Sequence, residues 1–134
     1  MKKVLLTVSI LVVFIGSLLA QESPTTPHAK RVQITQGPEI ALAGGYLTVI
    51  RWTVNNPGGA PVHYGVVHYG TDPKDLSQTA KNPLRLNPSH SSTVFRVNVY
   101  DLPPKTTFYY KVDSTDANGK SDGVTSPVNK FTTE

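Results

Sequence analysis

The sequence contains no cysteine, one tryptophan and a single methionine, the first residue. Without thiols it has no disulfide framework, no thiolate metal site and no lipid-modified N-terminal cysteine, so any folded part rests on its core alone. Charged residues are sparse, at 16% of the chain. Beyond Lys2-Lys3 no basic cluster occurs that would give nucleic acid a footprint. No stretch after Ala20 repeats apolar residues at spacings of three and four, so helices are not expected there. The strand-turn-helix signature Gly-x-Ser-x-Gly is absent, and the histidines, His28, His63, His68 and His90, are dispersed. A hydrolytic metal centre needs convergent carboxylates and histidines, and a serine nucleophile needs an elbow and a base. The expectation is a chain that is not an enzyme and carries no metal or cofactor.

What the chain does have begins with Met1-Lys2-Lys3, followed by the 17-residue run Val4–Ala20, apolar apart from Thr7, Ser9, Gly16 and Ser17. A short basic start before an apolar run describes a secretory signal, here cut after Ala20. Residues 1–20 are therefore expected to be removed, 21–30 to form a flexible lead with Pro24 and Pro27, and 31–134 to make one domain. The location is secreted or periplasmic. If the run stays in place, it lies at the short edge of a membrane span and would tether the domain to a surface. Lys2 and Lys3 leave with the signal, so eleven basic residues remain against nine acidic ones, a net charge of +2.

Short alternating runs between Gly, Pro and Asn clusters then recur to the end of the chain. Arg31–Gln36 is a first strand, closed by Gly37-Pro38. In Tyr46–Val54, Trp52 decides the face, because a lone tryptophan in a small β domain is its largest core residue. Thr48, Ile50 and Trp52 should point inward and Leu47, Val49 and Arg51 outward. Val62–Gly70 is a further strand, and Leu76–Ala80 a short strand or turn. Asn82-Pro83 to Asn87-Pro88 reads as a proline-studded loop. Thr93–Tyr100 alternates most clearly, with Phe95, Val97 and Val99 inward. Two prolines then make a corner in Leu102–Val112 before the chain extends again. Asp113–Gly123 is polar and turn-like, and Val128–Thr133 closes the set with Phe131 inward. About seven antiparallel strands at this spacing make an all-β, immunoglobulin-like sandwich.

The corner carries a resemblance. Leu102, Pro104, Thr106, Phe108, Tyr110 and Val112 are spaced as at the E–F corner of fibronectin type III domains. Phe108 stands where such domains have the corner tyrosine, so its hydroxyl is missing. This likeness implies that Gly65, Val67 and Tyr69 face inward and Tyr64, Val66 and His68 outward. Val67-His68-Tyr69-Gly70-Thr71, Leu76, Ala80 and Phe131-Thr132-Thr133 narrow it further. With the corner, they resemble the N-terminal fibronectin-like domain of purple acid phosphatases, over roughly Arg31 to Glu134. In that family the two-metal chemistry belongs to a separate C-terminal domain, whose ligand motifs have no counterpart here. The resemblance implies no catalytic residue in this chain, and a separate metallophosphoesterase chain as a partner.

Three local features bear on binding. Asp113–Lys120 offers oxygen ligands at alternate positions, but the twelfth position holds Val124, so the stretch reads as a hairpin turn on Asn118-Gly119 rather than a calcium loop. Asn87-Pro88-Ser89 is no glycosylation acceptor, because proline occupies its middle position. The histidines read as surface residues. The candidate binding surface is an outer sheet face where Tyr64, Val66 and His68 should lie beside Tyr109 and Lys111 and form one continuous patch. The function expected is a secreted, non-catalytic binding or accessory module, its partner an unknown protein or glycan of the cell envelope. The alternatives are association with a metallophosphoesterase and a membrane-tethered surface module.

Overall fold

A computed structural model describes residues 31–134. The expected signal over 1–20, the lead over 21–30 and His28 lie outside the described residues. Eight strands follow one another: β1 (Ile34–Ala43), β2 (Leu47–Asn55), β3 (Val62–Gly70), β4 (Gln78–Arg85), β5 (Ser92–Tyr100), β6 (Thr107–Asp116), β7 (Ser121–Thr125) and β8 (Asn129–Thr132). They form two antiparallel sheets, one in the order β1-β2-β5, the other β4-β3-β6 with β7 and β8 both paired to β6. The described residues contain no helix. This is a fibronectin-III-like sandwich, and it is the architecture expected.

The core follows from alternation. In β2, Thr48, Ile50, Trp52 and Val54 are buried, and in β5 so are Thr93, Phe95, Val97 and Val99. Trp52 and Phe95 are directly opposite in the β2–β5 ladder and stack with centroids 5.4 Å apart. From the other sheet come Val67, Phe108, Tyr110, Val112 and Phe131, with Phe108 stacked on Phe131 at 5.7 Å. Each large apolar side chain buried in this way contributes about 1.5–3 kcal/mol. Gly65 makes room for the tryptophan. A Cβ there would stand 3.0 Å from ring atoms of both Trp52 and Phe95.

Four local expectations are corrected. The first strand does not end at Gly37-Pro38 but bulges there and continues to Ala43; Gly37 has φ +78°, and an edge strand absorbs such an irregularity. The stretch after Gln78 is a strand despite Pro83, because β4 is an edge strand whose ladder is unpaired on one side in any case. The polar stretch after Val112 is mostly ladder. β6 runs to Asp116, β7 starts at Ser121, and only the residues between them turn, with the N–H of Asp116 donating to Lys120 O at 2.9 Å. Finally, β7 is an additional strand ahead of the closing one, β8, which makes eight strands of the expected seven. Ser126 and Pro127 separate them: the N–H of Ser126 donates to Val112 O and its hydroxyl accepts from the N–H of Val112, both at 2.9 Å.

At the corner, Asp101 and Lys105 take left-handed φ values of 56° and 52°. Phe108 is buried there and supplies no hydroxyl. Thr133 does. Its Oγ1 donates to Pro103 O at 2.6 Å and accepts from the N–H of Thr106 at 3.0 Å.

Candidate functional site

The outer face of the larger sheet is built by parity. Val67, Tyr110, Val112 and Ser114 are buried inward, so Tyr64, Val66 and His68 of β3 and Tyr109, Lys111, Asp113 and Thr115 of β6 face the other way. The register then decides which of them meet. His68 is opposite Lys111, Val66 opposite Asp113, Tyr64 opposite Thr115 and Tyr109 opposite Gly70. His68 and Lys111 are thus direct cross-strand neighbours. Tyr64 and Tyr109 are not: the stretch of β3 from Tyr64 to Gly70 is about 20 Å long at ~3.3 Å per residue. The expected continuous aromatic patch is therefore two separated rings, one at each end of the face. Tyr64 is covered from β4 instead, by Lys81, whose Nζ lies 5.5 Å from the ring centroid.

The middle of that face is polar and half-buried. His68 Nε2 is 3.2 Å from Asp113 Oδ2, while Asp113 Oδ1 is buried with no hydrogen-bond partner among the described residues. Val66, next to His68 on the outward side of β3 and opposite Asp113, is only 9% exposed although it points outward.

His63 overturns the surface reading of the histidines. It is 2% exposed. Its Nδ1 lies 2.9 Å from Asp122 Oδ2 and its Nε2 3.2 Å from Gly58 O, and Ser114 Oγ donates to the same carboxylate oxygen at 2.7 Å. These are the residue types of a nucleophilic triad in an arrangement that performs no such chemistry. The serine hydroxyl is on the carboxylate, and the second ring nitrogen is on a carbonyl, so no base faces a nucleophile. The cluster ties the loop after β2 to β3, β6 and β7. A cleft of about 550 Å³ opens over it, lined also by Arg31, Ala60, Lys120 and Gly123. Asp116 at its rim is already engaged, with Oδ1 accepting from the N–H groups of Asn118 and Lys120 at 2.9 Å each. Among the described residues no three of His, Asp and Glu group as metal ligands would. Parity was the available signal for His63, since the alternation that turns Gly65 and Val67 inward turns His63 inward too. Its partner Asp122 depends on the β6–β7 register, which the sequence does not display.

Sheet order, corner and core define a fibronectin-III-like module. Residues 38–133 match the family model described as the purple acid phosphatase N-terminal domain. The chain belongs to that family, whose domain is the non-catalytic N-terminal part of purple acid phosphatases. Among curated proteins no match is found.

Proposed function

We propose that the chain is an exported accessory module that docks a metallophosphoesterase catalytic domain through the outer face of its larger sheet, centred on His68 and Asp113. Export is supported by Lys2-Lys3 and the apolar run Val4–Ala20. The observation that carries the docking reading is the half-buried His68–Asp113 pair on an outward face, in which Asp113 Oδ1 finds no donor among the described residues. A buried group without its hydrogen bond costs about 1–3 kcal/mol, more when charged, and a partner that donates an N–H recovers it. Val66 supplies apolar contact beside the acid, Lys111 a free cation, and Tyr64 and Tyr109 the two ends. Contacts near the centre of an interface, rather than its rim, set its strength.

The test is titration calorimetry of the chain against a purple acid phosphatase catalytic domain produced without its own N-terminal module. A one-to-one complex is expected, weakened about tenfold or more by Asp113→Ala, which corresponds to about 1.4 kcal/mol. No complex, or one indifferent to both Asp113→Ala and His68→Ala, overturns the reading.

A further inference from the structure

We infer that the opposite face, on the three-stranded sheet, binds an acidic polysaccharide, with Arg96 holding a carboxylate of the glycan and Tyr46 and Tyr100 packing on a sugar ring. The observations come from the surface. Of the five large hydrophobic side chains that the described residues expose, four, Leu42 (49%), Tyr46 (78%), Val94 (45%) and Tyr100 (54%), belong to this sheet or its immediate end; the fifth is Val128. The tyrosines are not loose. Their rings meet edge to face at 6.4 Å, and Asn98 Nδ2 donates to Tyr100 Oη at 3.1 Å, so the platform is formed before a ligand arrives and little ordering cost remains.

Charge sits at the other end of the same stripe. Arg51 and Arg96 are directly opposite in the β2–β5 ladder, a like-charge pair that destabilises a sheet. Glu39 bonds Arg51, with Oε1 accepting from Nε at 2.8 Å, and leaves Arg96 without an acidic partner among the described residues. A shallow cleft of about 300 Å³ opens at this point, lined by Gln36, Glu39, Thr53 and the two arginines. Glu39 occupies the guanidinium of Arg51, so an added carboxylate would take the planar, bidentate bonds that Arg96 offers.

Arg96, Asn98 and Tyr100 follow one another on the outward side of β5, a stripe about 13 Å long at ~3.3 Å per residue. A guanidinium, an amide and an aromatic platform in a row match a linear acidic glycan, which carries carboxylates, hydroxyls and apolar C–H faces along its length. A peptide is disfavoured by the edge of the sheet. Strand addition to β5 would need its free amides, and the N–H of Asn98 already donates to Asn82 Oδ1 at 3.0 Å. A stripe one strand wide also falls short of the roughly 800 Å² that each partner buries in a stable protein interface.

The probe is a hexamer of galacturonic acid, titrated into the full chain by calorimetry, with a neutral hexasaccharide and poly-glutamate in parallel. Binding of the acidic hexamer is expected, with affinity falling about tenfold or more for Arg96→Gln and for the pair Tyr46→Ser, Tyr100→Ser, and unchanged for Lys74→Gln, a remote exposed lysine. Melting temperatures of the variants, expected within a few degrees of the parent, separate lost binding from lost folding. The inference is overturned if the acidic hexamer does not bind, if poly-glutamate binds as tightly, if Lys74→Gln weakens binding as much as Arg96→Gln, or if the neutral sugar binds equally well.

Discussion

The hydroxyl of Thr133 closes the corner that Phe108 leaves open, from 30 residues beyond Pro103. Removing it by Thr133→Val keeps the shape of the side chain but orphans Pro103 O and the N–H of Thr106, so a loss of about 1–3 kcal/mol is expected in urea melts. Thr133→Ser should retain most of the stability; if both variants melt like the parent, the corner is held by something else. Tyr110 supplies a pH dependence. Burial, and secondly the charge of Glu39, push its hydroxyl above the ordinary value of 10.0. Below about pH 10 both folded and unfolded chains keep that proton and the group contributes no slope. Above it the unfolded chain ionises first, so stability falls as pH rises, and Tyr110→Phe should flatten this part of the curve relative to the parent. Denaturant midpoints taken between about pH 8 and pH 11 check it; parallel curves for the two proteins reject it.

Elements were legible where one face is buried and the other is not. β2 and β5 announce themselves because Ile50, Trp52, Phe95 and Val97 recur at every second residue, and a slip of one position would turn them all to solvent. Proline misled the reading of β1 and β4. Pro38 and Pro83 both look like strand ends, yet each sits in an edge strand, and edge position is a property of sheet order that no local stretch displays. For the same reason the composition of the outer face was readable while its assembly was not. Tyr64 and Tyr109 have the right parity, and only the β3–β6 register sets them at opposite ends. The packing between sheets offers a sharp test at Gly65. An added methyl group meets Trp52 and Phe95 at 3.0 Å, and overpacking of this kind costs about 1–3 kcal/mol. Gly65→Ala should therefore lower the urea midpoint although it improves strand propensity. A stabilised variant would show that the rings move aside freely.

At the scale of the whole molecule, one core and no disulfide carry the fold. Trp52, 1% exposed and stacked on Phe95, is its largest side chain. Trp52→Ala is expected to cost about 3–5 kcal/mol, a large share of the ~5–15 kcal/mol a domain holds in total. Melts showing a loss below about 1 kcal/mol would place the centre of the core elsewhere. The break between β7 and β8 has a mechanical meaning. A pull on Glu134 loads the four residues of β8 first, through their short ladder to β6 and the Thr133 clasp. Ser126, held to Val112 by two hydrogen bonds of 2.9 Å, is where that load would next be caught. A force applied at residue 134 would thus be met in two stages, by β8 and then at Ser126, before it reached the packing between the sheets.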